Sequence, residues 1–297
     1  MLQQYDPRNE HLQIFIKDRL YPRAEAKVSV FDSAVQGGDA VWEGLRVYPE
    51  GIVCLDKHLT RLQESAKALA FVDIPSKAFI KKAIKETLET NGMTHDTHIR
   101  LTLTRGEKIT SGMDPRLNQK GSCLIVLAEW KPLVYDNEHG IKVISTSQRR
   151  NGPQFLDSKI HHNNLLNNIL AKIQANVAGK DAGLMLDDRG FVAELNGTNL
   201  FMVKNGKVRT PFAHACLPGI TRATVMELCK KEGVSMEEAD ISLVQLYNAD
   251  AVFATGTMGE LTPVIEIDGR TIPNSDLTFK RVLNLFKEQV GGYCEPL

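Results

Sequence analysis

Four short segments in the second half of this 297-residue chain limit what it can fold into, because each sets hydrogen-bonding or small residues where an element should begin or turn. The first is Ser158-Lys159-Ile160-His161-His162-Asn163-Asn164, just before a helix whose Leu165, Leu166, Ile169, Leu170 and Ile173 recur at helical spacing. The second, Val192-Ala193-Glu194-Leu195-Asn196-Gly197-Thr198-Asn199, puts one acid into an apolar strand and turn. The third, Leu217-Pro218-Gly219-Ile220-Thr221-Arg222, opens a new helix, and the fourth, Ala254 to Val264, gives a second small-residue turn between two strands. A lysine among small, amide and apolar residues is expected to be tucked in. Its pKa is then lowered, and the free amine can form a Schiff base with an aldehyde. The bland alternative is a solvated surface lysine.

Lysine, acid and two donor-rich turns are the parts needed to hold pyridoxal 5′-phosphate. The lysine carries the aldehyde carbon as an imine. An acid facing the pyridine nitrogen keeps it protonated, so that the ring accepts electrons from a forming carbanion; Glu194 is the candidate. A phosphate suits a helix N-terminus, where backbone N–H groups lack internal partners and the macrodipole favours negative charge. Gly219-Ile220-Thr221 offers that geometry, and Gly256-Thr257 adds a hydroxyl and further amides.

At these residues the chain resembles the class IV, fold type IV pyridoxal-phosphate aminotransferases, most closely the branched-chain amino acid aminotransferases. The likeness runs from about Phe31 to Val264. It takes in Val41-Trp42-Glu43-Gly44-Leu45-Arg46-Val47-Tyr48, Asp56-Lys57-His58-Leu59-Thr60-Arg61-Leu62, His98-Ile99-Arg100, and the loop from Thr104-Arg105-Gly106 through Gly112-Met113-Asp114-Pro115. The resemblance implies that Lys159 forms the Schiff base, that Glu194 pairs with the pyridine nitrogen, and that Arg61, Ile220, Thr221 and Thr257 bind phosphate. It also implies a homo-oligomer, at least a dimer. Two positions depart from the family. Asn164 stands where branched-chain enzymes usually carry a tyrosine on the cofactor's phenolic oxygen, a bond an amide can also donate. Gly37 stands where they often have another tyrosine, which removes an aromatic wall from the substrate side.

Composition agrees with small-molecule chemistry. Lysine plus arginine and aspartate plus glutamate both number 36, so no global field favours nucleic acid or an anionic membrane. No run of about 18 apolar residues occurs and the N-terminus lacks a signal-peptide pattern, so the protein is expected to be cytoplasmic. The five cysteines, Cys54, Cys123, Cys216, Cys229 and Cys294, are scattered without a Cys-x-x-Cys pair, which argues against a disulfide framework and a metal site.

The first half, residues 1–130, reads as a compact α+β domain. It holds a hairpin at Ile14 to Tyr21, a strand at Val28 to Phe31, a hairpin from Leu45 to Cys54, a helix capped by Asp56 and running to about Ala70, and a second capped by Ser76 and stopped at Gly92. Strands follow at Ile99 to Thr104 and Cys123 to Ala128. Residues 131–139 interrupt the patterns as a linker. Residues 140–297 form the second α+β domain, with turns at Asp188-Arg189-Gly190, Asn205-Gly206 and Asp268-Gly269 and helices near Thr221 to Lys231 and Ser275 to Val290. The expected architecture is a two-domain fold type IV enzyme with its cofactor in the interdomain cleft.

On the substrate side Arg100 alternates with apolar residues on its strand. It either points inward as a carboxylate fork or outward into solvent. The resemblance favours the first, since branched-chain enzymes use an arginine here for the distal carboxylate of glutamate. His98 lies two residues earlier on the same face, as a substrate contact or a structural histidine. Trp42 and Trp130 are either pocket walls or core anchors. The amides of Thr257, Met258 and Gly259 are candidates for the substrate α-carboxylate. The expected reaction moves an amino group from an apolar, branched-chain amino acid to 2-oxoglutarate, with Lys159 also carrying the proton between the substrate α-carbon and the cofactor. The alternatives are a D-amino acid or (R)-amine transaminase, an aminodeoxychorismate-type lyase on the same scaffold, and a binding protein without catalysis.

Overall fold

The computed structural model describes residues 3–297. Two compact units emerge, and neither is continuous in sequence. The first comprises the chain up to Pro132 with Ile160–Asn164 and Gly291–Leu297; the second comprises Leu133–Lys159 and Leu165–Val290. The expected continuous halves therefore exchange two short segments. The expected linker is also structured: Val134 N–H donates to the Met258 carbonyl at 2.9 Å and Asn137 Nδ2 to the Gly259 carbonyl at 3.0 Å, both within the second unit.

The first unit is built from β1 (Gln13–Ile16), β2 (Arg19–Pro22), α1 (Ser33–Gly37), β3 (Ala40–Tyr48), β4 (Gly51–Val53), α2 (Leu55–Ala68), α3 (Lys77–Thr90), β5 (Thr97–Thr104) and β6 (Cys123–Trp130). Its antiparallel sheet runs from the terminal strand Cys294–Glu295 through β4, β3, β5, β6 and β1 to β2. Leu45, Ile99, Leu101, Val126 and Ala128 on one face pack with Leu59 and Leu62 of α2 and Ile80 and Ile84 of α3. Each leucine, isoleucine or valine so buried is worth about 1.5–3 kcal/mol. Register places Trp42 opposite Thr102, Gly44 opposite Arg100, and Arg46 opposite His98, so these residues share the other face.

Two expectations fail here because distant residues intervene. Val28 to Phe31 is not a strand, and Val30 is exposed. Asp32, directly after it, caps α1 through Ala34 N–H at 2.8 Å and accepts the Thr104 hydroxyl at 2.8 Å, which turns the chain out of the extended run despite its β-propensity. Asp56 does not cap α2. Cys54 holds the N-cap position and its side chain makes no capping hydrogen bond, and the Asp56 N–H is satisfied by Glu295 Oε1 at 2.9 Å from the distant C-terminal strand. Ser76 does cap α3, accepting from Phe79 N–H at 3.3 Å.

The second unit contains β7 (Ile141–Arg149), α4 (Leu166–Val177), β8 (Ala182–Leu186), β9 (Val192–Leu195), β10 (Asn199–Lys204), β11 (Lys207–Pro211), α5 (Ile220–Lys231), β12 (Met236–Ala239), α6 (Leu243–Tyr247), β13 (Ala251–Gly256), β14 (Glu260–Ile267), β15 (Arg270–Thr271) and α7 (Leu277–Gln289). The sheet order is β12-β11-β10-β13-β14-β7-β8-β9, with β15 beside β14. The Asn205-Gly206 and Asp268-Gly269 turns fall where expected, with positive φ at all four residues, the conformation that type I′ hairpins demand. The face of α4 is the reverse of the expected one. Ala171 and Ala175 are buried, whereas Leu166, Ile169, Leu170 and Ile173 are exposed. Small residues let the helix lie close on the sheet, so close that a Cβ added at Gly183 of β8 would meet the Ala171 carbonyl oxygen at 2.7 Å.

Candidate active site

In the second unit Glu194 is a buried acid. It lies on β9, opposite Met185 of β8, and is 4% exposed. Its Oε1 accepts from Arg150 Nε at 2.5 Å, and its Oε2 accepts from Asn199 Nδ2 at 3.0 Å. Burial pushes the Glu194 carboxyl above its ordinary pKa, and Arg150 works against that shift. Asn199 also donates to the Leu217 carbonyl at 2.8 Å, which ties the acid to the turn that opens α5. The fit is tight: a Cβ at Gly219 would sit 2.0 Å from Asn199 Oδ1, so only glycine allows this approach.

Gly219 is the N-cap of α5 and carries no capping side chain, so the amides of Ile220 and Thr221 point out of the helix without intrahelical acceptors. Thr257, Met258 and Gly259 form the turn between β13 and β14. Of their amides, that of Gly259 already donates to the Gly256 carbonyl at 3.2 Å. The buried hydroxyls of Thr198 and Thr255 and Arg150 Nη1 lack partners among the described residues. Orphaned donors and an uncapped helix N-terminus are each features that suit an anion.

Lys159 is not tucked in. Its side chain is 48% exposed with Nζ 3.6 Å from Asp157 Oδ1, and Leu166, Ile169, Leu170 and Ile173 of the helix that follows are exposed as well. Lys159 ends its segment of the second unit, and the chain passes into the first at Ile160.

In the first unit the centre is Glu43, fully buried on β3 amid the apolar face. Its carboxylate accepts from His58 Nδ1 at 2.7 Å, from Arg61 Nε and Nη2 at 2.7 Å each, and from His161 Nδ1 at 3.1 Å. Burial alone would raise its pKa; the charges and hydrogen bonds of His161 and Arg61 hold it well below the usual carboxylate range. Arg61, expected on a phosphate, is thus engaged by a carboxylate in a fork–fork pair. The His161 ring, pushed down to about 4 chiefly by burial, is neutral at pH 7.

On the opposite face the Arg100 guanidinium lies 3.4 Å from the centroid of Trp42, and Nη2 donates to Asn163 Oδ1 at 2.9 Å. Burial lowers its pKa to about 10, still well above neutrality. His98, 5% exposed, has its Nε2 unpartnered among the described residues, and burial pushes its pKa to about 3. Trp130 is not gathered with them. It pairs with Thr97, five residues from the Thr102 that faces Trp42, roughly 17 Å along the strand. Arg8 covers its ring at 4.4 Å and Asn9 bonds its backbone, the role of a core anchor at the sheet's end. Asn164 is exposed.

Arg150, Asn199, His161 and Asn163 are the hydrogen-bond partners of Glu194, Glu43 and Arg100 that sequence reasoning passes over. Asn199, His161 and Asn163 stand inside the motifs that define the chain, but Arg150 precedes Asn151-Gly152-Pro153 with no local pattern that separates it from a surface arginine.

Residues 40–267 match the family model for class IV amino-transferases. The chain is 57% identical to the branched-chain-amino-acid aminotransferase-like protein 2 of Arabidopsis thaliana over 98% of its own length and 52% of that protein's, so it spans about half of that relative. It is 41% identical to a putative branched-chain-amino-acid aminotransferase of Methanocaldococcus jannaschii, over 93% of this chain and 96% of that one. Among solved structures, the branched-chain aminotransferase of the thermophilic archaeon Thermoproteus uzoniensis, determined with norvaline, superposes with a TM-score of 0.86 at 31% identity, covering 96% of each chain. The α+β architecture of two sheets is accordingly that of fold type IV, and the chain belongs to the class IV amino-transferase family.

Proposed function

We propose that this chain is a pyridoxal 5′-phosphate-dependent aminotransferase that moves the amino group of an apolar, branched-chain amino acid to 2-oxoglutarate. The observation that carries the reading is the link Glu194–Asn199–Leu217, which couples a buried acid to an uncapped helix N-terminus in the unit that also holds Lys159. The cofactor fits that donor set. Its phosphate would be held by the amides of Ile220 and Thr221 and the Thr257 side chain, with the orphaned hydroxyl of Thr255 two residues before Thr257 and Thr198 packed against Gly256, and its ring nitrogen would face Glu194. When bound it supplies an electron sink for the carbanion at the substrate α-carbon.

The protein's own groups do the rest. Arg150 and Asn199 fix both oxygens of Glu194, so the acid is held for a ring N–H without reorganising. Lys159, 48% exposed with Nζ 3.6 Å from Asp157 Oδ1, is the base and acid that moves the α-proton. Arg100, stacked on Trp42 and bonded only to Asn163 among the described residues, keeps N–H groups for a substrate carboxylate. The exposed apolar stripe of α4 supports a homo-oligomer, because a row of Leu166, Ile169, Leu170 and Ile173 is a surface that a second copy covers favourably. Amino and 2-oxo acids are the only partners the reading calls for besides that copy. No helix among the described residues is long and apolar enough to cross a membrane.

The test pairs a donor panel with one variant. L- and D-leucine, alanine and glutamate plus (R)-1-phenylethylamine are offered with 2-oxoglutarate, and borohydride treatment followed by peptide mapping is expected to leave the pyridoxyl group on Lys159. Arg100→Leu should weaken glutamate and 2-oxoglutarate by about 2–4 kcal/mol while sparing leucine, which has no distal carboxylate. Equal losses for both would assign Arg100 to the α-carboxylate and overturn the branched-chain reading.

A further inference from the structure

His161 lies two residues beyond Lys159, in the short segment that belongs to the first unit. Three features of that segment act on the same place. The His161 carbonyl accepts from Trp42 N–H at 2.9 Å, the His162 carbonyl accepts from Trp42 Nε1 at 3.1 Å, and Asn163 Oδ1 accepts from Arg100 Nη2 at 2.9 Å. The His161 ring itself stacks on Trp42, with centroids 4.1 Å apart and planes tilted by 39°. Trp42 therefore meets His161 in one ring contact and the Arg100 guanidinium, 3.4 Å from its centroid, in another.

The ring of His161 is held in turn. Glu43, ionised, has only lone pairs to offer, so the His161 nitrogen 3.1 Å from it carries the proton, and the tautomer is fixed as Nδ1–H. Glu43 is immobile because Arg61 grips both of its oxygens and His58 one of them. A chain of contacts thus runs from a buried carboxylate through an imidazole and an indole to a guanidinium that pairs with no carboxylate among the described residues.

We propose that His161 is a positioning residue for Arg100: anchored by Glu43, it fixes the plane of Trp42 and through it the direction in which the guanidinium presents its free N–H groups, so that it sets selectivity for dicarboxylate over apolar substrates. The proposal rests on the reading of Arg100 as the distal-carboxylate arginine. A planar fork recognises a carboxylate only when its plane is aimed, so freeing the ring beneath it degrades dicarboxylate binding without touching groups that an apolar side chain uses.

The experiment compares His161→Ala, His161→Phe, Arg100→Leu and the double variant His161→Ala/Arg100→Leu, each as the full chain loaded with pyridoxal 5′-phosphate. In His161→Ala the KM for glutamate and for 2-oxoglutarate should rise about tenfold, the scale of a small misplacement of a binding group, while kcat and the leucine KM stay within about twofold. His161→Phe, which keeps a ring on Trp42, should recover most of the loss. Adding His161→Ala to Arg100→Leu should cost nothing further. A second readout needs no turnover: with Trp130→Phe, Trp42 is the sole tryptophan, and its emission should change with His161→Ala and with added glutarate. A selective defect in Arg100→Leu with none in His161→Ala, or a His161→Ala effect that persists undiminished in the double variant, overturns this proposal alone. No selective defect in Arg100→Leu overturns the Arg100 reading and this proposal with it.

Discussion

Replacing Glu43 by glutamine keeps the side chain's size and removes its charge, which makes it a direct probe of the buried network in the first unit. Each oxygen of Glu43 accepts two bonds: Oε1 from Arg61 Nε and His161 Nδ1, Oε2 from Arg61 Nη2 and His58 Nδ1. Whichever oxygen becomes an NH₂ group loses both and sets donor against donor. Hydrogen bonds to charged groups are worth about 1.5–3 kcal/mol each, and breaking one partner of a buried ion pair costs about 3–5 kcal/mol, so the two routes agree. Arg61 has a side chain only 13% exposed, too little for water to replace the carboxylate. Both tryptophans, Trp42 and Trp130, belong to the first unit, so urea unfolding followed by tryptophan emission reports on that unit. With an unchanged m-value, the midpoint should fall by more than about 1 M. The sign of the pH dependence is fixed as well. Since the folded pKa of Glu43 lies below its unfolded value of about 4.3, its stabilisation is present above that pH and is lost as the pH falls through the folded value. A destabilisation under about 1 kcal/mol at neutral pH would refute the claim that Glu43 is an ionised anchor.

Glu194→Gln should retain the cofactor and lose turnover by about 10² to 10⁴, because an amide cannot keep the ring nitrogen protonated; activity within a few-fold of the parent would assign Glu194 a structural role. Asn199→Ala removes a donor from Glu194 and another from the Leu217 carbonyl, and should weaken cofactor retention by about tenfold or more in a dialysis and absorbance assay, with an unchanged dissociation constant counting against the coupling. His98 and His161 are held neutral with folded pKa values of about 3 and 4, so the unfolded chain takes up their protons first and stability should drop as the pH falls from about 6.5 toward those values. Replacing His98 by Gln should flatten that slope by at most about 1.4 kcal/mol per pH unit, and an unaltered slope would show that His98 titrates normally.

How far the sequence can be read depends on whether the deciding interaction is local. Asn205-Gly206, Asp268-Gly269 and the Ser76 cap are specified within a few residues, and all three occur as expected. Asp56 and Val28 to Phe31 fail because something distant intervenes: Glu295 supplies the acceptor at the start of α2, and Asp32 bonds Thr104, 72 residues away. The leucine stripe of α4 misleads for another reason. Periodicity says that a helix is two-sided and does not say which side meets the sheet, and here the alanine side does.

The same distinction separates backbone donors from charged side chains. Backbone amides at Ile220 and Thr221 are legible because a glycine and the residues after it encode a helix start by themselves. Charged side chains are assigned by their partners, and those partners lie far off in the chain. Glu194 stands out as the lone acid of an apolar strand, yet its closest donor, Arg150, is 44 positions away and has no signature. Arg61 reads as a free cation because its nearest neighbours in sequence do not compete for it; Glu43, 18 positions earlier on β3, does. An acid placed among apolar strand residues demands compensating donors wherever the fold can bring them, since burying it unpaired costs many kcal/mol. Glu43 recruits three such residues, and one of them, His161, comes from the segment that follows Lys159. That segment is thereby tied to the sheet of the first unit by a charge that no pattern within the lysine motif reveals.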